Sequence, residues 1–104
     1  MLIYLFKLLK NNPIAKAIVL KPDGDVFKKY FADEKPTLAE MQEIVAGPIE
    51  IIRMSESELM IVNEEGLLLG LPFNEPAVNY IRNYTEDEYQ IVGNVFVIDS
   101  SLVD

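Results

Sequence analysis

Carboxylates are the side chains of this 104-residue sequence that come spaced for chemistry. They cluster at Asp23 and Asp25, at Glu64 and Glu65, and at Glu86, Asp87 and Glu88. Paired carboxylates can hold a divalent metal and activate water on it, so a carboxylate-based hydrolase or nuclease is the catalytic reading to test. Glu64 with Glu65, or Glu86 with Glu88, would have to converge on one ion. Acids adjacent in sequence at turns are usually solvated instead. Asp23 with Asp25 falls well short of the six or more oxygens that calcium takes, and a plain hairpin turn explains that pair. The sequence has no histidine or cysteine. Within one chain, that excludes Ser–His and Cys–His nucleophile pairs and zinc sites of the Cys/His kind. The glycines are scattered singly, so no phosphate-cradling loop is encoded. From the residues alone, a non-enzyme without cofactor or metal is expected.

The charge is uneven. Residues 1–35 carry seven lysines against Asp23, Asp25, Asp33 and Glu34, a net of +3. Residues 36–104 carry Arg53 and Arg82 against thirteen acids, a net of −11. Acidity of that density repels nucleic acid and anionic lipid and favours a basic protein partner. Keeping a small domain soluble is the plainer reading of the same charge. Half the residues are apolar and a quarter are charged, as in a folded domain. The length suits one domain with a radius of about 13 Å.

Residues 1–12 stand apart as an apolar extension. Leu2, Leu5, Phe6 and Leu9 follow helical spacing, with Lys7 and Lys10 off the stripe. The run is shorter than the ~20 residues needed to cross a bilayer and lacks the basic start of a signal peptide. An interfacial anchor would want a longer, more basic face. Docking on its own core or on a second copy, giving a homo-oligomer, is the expectation. The absence of cysteine fits a reducing, cytoplasmic setting.

A single domain is expected over residues 13–104. Residues 14–20 and 26–31 read as strands around a Lys21-Pro22-Asp23-Gly24-Asp25 turn. Thr37 and Glu40 form a capping box for a helix whose core face carries Leu38, Met41, Ile44 and Val45. Gly47 ends that helix, and Pro48 cannot continue it. A strand over 49–54 points Ile49 and Ile51 inward, and residues 59–62 are apolar on both faces, as in mid-sheet. Asn63-Glu64-Glu65-Gly66 reads as a type I turn, after which Leu67, Leu68 and Leu69 pair back as a strand. Asn74 is the N-cap of a second helix, with Ala77, Tyr80, Ile81 and Tyr84 on its inner face. Residues 91–98 close the chain as an inner strand, with Gly93 marking a bulge or a close backbone approach. The sum is an α+β domain: a mostly antiparallel sheet of five to six strands with two helices packed on it.

Several short motifs carry a resemblance. Met41-Gln42 leads into Val45-Ala46-Gly47-Pro48-Ile49-Glu50, and Asn63-Glu64-Glu65-Gly66 follows. Leu71-Pro72-x-Asn74-x-x-Ala77 and Val92-Gly93-Asn94 come later. From about Ala15 to Ile98 the chain resembles domain-of-unknown-function family 3846, small proteins of bacteria, phages and plasmids. Where that family more often has Val-Gly-Gly, this chain has Val45-Ala46-Gly47. The resemblance implies an accessory protein of a mobile element or its host, and it transfers no catalytic or binding residues. Asn63 and Asn74 are the motif side chains with a choice between a binding surface and their own backbone. Two functions follow. One is a non-catalytic protein-interaction module that self-associates through Leu2, Leu5, Phe6 and Leu9. The other is an acidic inhibitor that imitates nucleic acid and occupies a host nuclease or DNA-binding complex. The second needs Glu56, Glu58, Glu64, Glu65, Glu86, Asp87 and Glu88 on one face.

Overall fold

The computed structural model describes residues 16–103. The expectations for residues 1–12 fall outside them. Five strands, β1 (Lys16–Leu20), β2 (Val26–Tyr30), β3 (Ile49–Arg53), β4 (Glu58–Asn63) and β5 (Val95–Asp99), form one sheet in the order β2-β1-β5-β4-β3. Every pairing is antiparallel. Two hairpins, β1–β2 and β3–β4, thus flank a central strand supplied by the end of the chain. Helices α1 (Leu38–Val45) and α2 (Glu75–Ile81) and a 3₁₀ turn at Ser100–Leu102 complete the domain.

Alternate strand residues point to opposite faces, and both faces are apolar. One core joins Val19, Leu59, Ile61, Phe96 and Ile98 to Met41 and Val45 of α1. The other joins Leu20, Met60, Val95 and Val97 to Ala77, Val78 and Ile81 of α2. The helices therefore cover opposite faces, and strands β4 and β5 must be apolar on both sides. Phe96, Met60 and Ile61 are fully buried as a result. At the edges this requirement lapses. All five β2 residues are exposed, and Ile51, expected inward, is 46% exposed on edge strand β3. Leu38 also departs from expectation: at the first residue of α1 it is exposed.

The Thr37 capping box forms in full, with Thr37 N–H donating to Glu40 Oε1 (2.8 Å) and Glu40 N–H to Thr37 Oγ1 (3.1 Å). The C-terminus of α1 corrects the sequence reading. The left-handed residue is Ala46, at φ 63°, rather than Gly47. An L side chain in that region costs roughly 1 kcal/mol relative to glycine. Ala46 is exposed, so nothing is gained from its methyl group. Ala46→Gly should raise stability by about 0.5–1 kcal/mol, read as a higher urea midpoint at unchanged slope. An unchanged or lower midpoint would show that the cap is not strained.

A further expectation fails. Leu67, Leu68 and Leu69 form no strand. Residues 64–70 wind as a compact turn in which Gly66 N–H donates to Asn63 O, Leu69 N–H to Glu65 O and Leu71 N–H to Gly66 O. Local bonding satisfies these backbone groups, and β4 already has β5 and β3 as neighbours, leaving no place for another strand beside it. Gly93 precedes β5 instead of bulging it. Its backbone sits at φ 74°, and a Cβ there would lie 2.7 Å from Leu71 Cδ1, so close approach is what it provides.

Candidate functional site

The carboxylates proposed for chemistry are dispersed by this fold. Asp23 accepts from Asp25 N–H (2.9 Å), closing its own turn. Glu64 and Glu65 begin the 64–70 turn and are exposed. Glu86, Asp87 and Glu88 lie in the loop after α2 and are exposed too, with Asp87 N–H held by Thr85 Oγ1 (3.1 Å). Among the described residues, no group of three or more acids is placed to hold a metal ion.

The acids do not form one continuous face. Glu58 opens β4 and Glu56 precedes it, at the end of that strand opposite Asn63 and Glu64. Glu64 lines a cleft with Glu50, Leu67 and Tyr89, while Glu86, Asp87 and Glu88 line a neighbouring cleft with Phe73. Tyr89 and Gln90 are common to both clefts. Glu64 and the Glu86–Glu88 run thus line neighbouring clefts on either side of Tyr89 and Gln90, with Arg82 also in the second, which linear spacing did not reveal.

Leu67, in the wall of one of those clefts, belongs to a triplet that holds the three most exposed large apolar side chains among the described residues. Leu67, Leu68 and Leu69 are 63%, 89% and 58% exposed, and Phe73 is 55% exposed. Phe73 bridges Val92, which lines the same cleft as Leu67. The leucines are held outward by a turn whose own bonds fix it, and Asn63 Oδ1 anchors its start by accepting from Glu65 N–H (2.8 Å). Burying a leucine is worth about 1.5–3 kcal/mol, so three consecutive exposed ones forgo a large stabilisation in the isolated chain. Apolar clusters of this kind, rimmed by charge, mark contact surfaces.

Both motif asparagines serve the backbone. Asn74 is fully buried: it accepts from Ala77 N–H and donates to Leu20 O (2.9 Å) and Gly93 O (2.7 Å). Asn63 donates to Val45 O (3.0 Å) and Ala46 O (3.3 Å), capping α1 from across the sheet end. Neither is available to a ligand.

A tyrosine–glutamate cluster escaped the sequence reading. Glu58, assigned to a polar connection, opens β4 and accepts from Tyr80 Oη (3.0 Å) and Tyr84 Oη. The two rings stack with centroids 5.8 Å apart. The i, i+4 spacing of Tyr80 and Tyr84 was the available signal; their partner was not. Burial above all, with the Tyr84 and Glu58 hydrogen bonds, raises Tyr80 above its ordinary 10.0, and the bond to Glu58 raises Tyr84. On alkalinisation the unfolded chain therefore releases these protons before the folded one does. Their contribution to stability is complete below about pH 10 and declines as pH rises beyond it. The denaturation midpoint should follow that course, and Tyr80→Phe/Tyr84→Phe should flatten it. An equally steep alkaline decline in the double variant would refute the assignment.

The domain is thus an antiparallel sheet with a helix on each face, and its motif asparagines serve the backbone. Residues 15–101 match the family described as Domain of unknown function (DUF3846), and the chain belongs to that family. No curated protein and no solved structure matches it. No helix among the described residues is long and apolar enough to cross a membrane.

Proposed function

We propose that this protein is a non-catalytic, cytoplasmic interaction module, an accessory of a mobile element or its host, whose contact surface is centred on Leu67, Leu68 and Leu69. The observation that carries the reading is the 89% exposure of Leu68 between two other exposed leucines on a turn fixed by its own hydrogen bonds. A preformed turn loses little conformational entropy on binding, so the apolar burial is available for affinity. Around the adjoining clefts Glu50, Glu64 and the Glu86–Glu88 run outnumber Arg82, which favours a partner with an apolar centre and basic edge. Imitation of nucleic acid receives less support, because Glu56 and Glu58 sit at the far end of β4 and Glu58 is engaged by two tyrosines.

Leu68→Glu tests this reading. Its folding stability should stay within about 0.5 kcal/mol of the parent, as for other exposed positions. Capture of partner by the full chain should be lost. Equal capture by both forms would remove the leucines from the contact surface.

A further inference from the structure

Apart from that contact surface, we propose that the open edge of β3 pairs with β3 of a second copy of this chain, antiparallel and centred on Ile51, joining two five-stranded sheets into one. β3 ends the sheet order, with β4 on its inner side and no strand on its outer side. The hydrogen bonds at its two ends fix which residues face outward. Glu64 N–H donates to Pro48 O (2.8 Å) and Met54 N–H to Glu58 O (3.0 Å). Along an antiparallel ladder the bonding side alternates residue by residue, so Pro48, Glu50, Ile52 and Met54 address β4. Ile49, Ile51 and Arg53 then turn N–H and C=O away from the sheet, and no other described residue bonds them. The Arg53 guanidinium is held along its own chain, donating to Ser55 O (3.4 Å) and Glu56 O (3.2 Å).

Composition separates this edge from the other one. Edge strands are commonly guarded against pairing by lysine or proline. β2, at the opposite edge, has Lys28 and Lys29 among its five residues. Full-length self-pairing there would set Lys28 against its own copy, with Asp23 and Asp25 outside the overlap. β3 holds neither lysine nor proline. Three of its five residues are isoleucine, a strong strand former, and Ile51 is half exposed.

Symmetry selects the copy and the register. A two-fold axis at Ile51 sets Ile51 against Ile51 of the copy, Ile49 against its Arg53 and Glu50 against its Ile52. No like charges lie directly opposite, and every outward N–H and C=O finds a partner. An axis at Glu50 would oppose identical acids. One at Ile52 would set Ile49 against Ser55, whose N–H already donates to Glu58 O (3.2 Å). One at Ile49 or Arg53 removes most of the overlap. A second copy therefore meets each demand of the edge with the edge's own residues. The acids beyond the strand ends, Glu56, Glu58, Glu64 and Glu65, approach their like across this interface, so added salt should favour the dimer. Five residues a side make a small interface, below about 1,200 Å² in total, so the dimer should be weak and concentration-dependent.

The test is sedimentation of the full chain over a concentration series. The parent should rise from the 11.8 kDa chain mass towards twice that value by about 1 mM. Ile51→Lys and Ile51→Glu each oppose like charges at the axis and should stay monomeric. An equal mixture of the two should dimerise, because lysine then faces glutamate. Leu68→Glu should dimerise as the parent does, which keeps this interface apart from the leucine surface. A parent that stays monomeric overturns the proposal, as does a dimer that added salt dissociates. So does a dimer that survives in either charged variant, a mixture of folded variants that stays monomeric, or loss of the dimer in Leu68→Glu. Should a charged variant unfold, Ile51→Cys decides, since the protein has no other cysteine. Facing Cα atoms of a bonded pair lie about 5.5 Å apart, within disulfide reach. Oxidation should yield a covalent dimer at least ~10-fold faster from Ile51→Cys than from Arg53→Cys, whose thiols would lie two residues to either side of the axis. Equal rates would refute the register.

Discussion

Asn74→Ala is expected to destabilise the protein by about 3–5 kcal/mol, because one buried amide serves three separate backbone segments. Its Nδ2 donates to Leu20 O at the end of β1 and to Gly93 O before β5, and its Oδ1 accepts from Ala77 N–H at the start of α2. Alanine removes all three bonds from a fully buried site and strips two carbonyls of their donor. A domain of this size has roughly 5–15 kcal/mol in total, so the thermal midpoint should drop by about 15–30 °C. Asn74→Asp is the sharper variant. It retains the shape and the N-cap acceptor but sets a carboxylate against two carbonyl oxygens, and it should lose nearly as much stability. An Asn74→Asp variant as stable as the parent would show that the amide donor does not hold these segments together.

Gly47→Ala should cost about 2–3 kcal/mol for a reason that lies elsewhere in the sequence. A Cβ on Gly47 would sit 2.7 Å from Asn63 Nδ2 and 3.3 Å from its Cγ. The side chain that must move is the one donating to Val45 O and Ala46 O and accepting from Glu65 N–H. Asn63→Ala alone should cost a similar ~2–3 kcal/mol through the same lost bonds. In the Asn63→Ala background there is room for the methyl group, so the second substitution should add little. A urea-denaturation cycle over the four proteins should return a coupling of at least about 1 kcal/mol. Strictly additive losses would mean that Gly47 is needed for its own backbone and not for Asn63.

These two asparagines show where sequence reasoning reaches and where it stops. The Thr37–Glu40 capping box and the Asn74 N-cap depend on residues three apart, and both were legible in full. The bonds from Asn74 to Leu20 and from Asn63 to Val45 cross 54 and 18 positions, and no local pattern encodes them. The β1–β2 hairpin and the strand character of β3 and β4 followed from apolar runs and turn residues. The insertion of β5 between β1 and β4 did not, since it pairs strands far apart in sequence and no local pattern encodes such a pairing. The leucine triplet misleads for a similar reason. Three consecutive apolar residues after a turn suit a strand, yet the sheet has no unpaired side there and the turn satisfies its own backbone. Net acidity was plain from composition, whereas the placing of Glu64 and the Glu86–Glu88 run on neighbouring clefts depends on the course of the 85–92 loop.

The proposed function stands on a contact role for the leucine turn. A photo-reactive residue placed at position 68 of the full chain tests this in living cells, with the same residue at Glu43, exposed on α1, as reference. A discrete cross-linked adduct at position 68 and none at position 43 is the expected result. No adduct at position 68, or indistinguishable adducts at both positions, would contradict it.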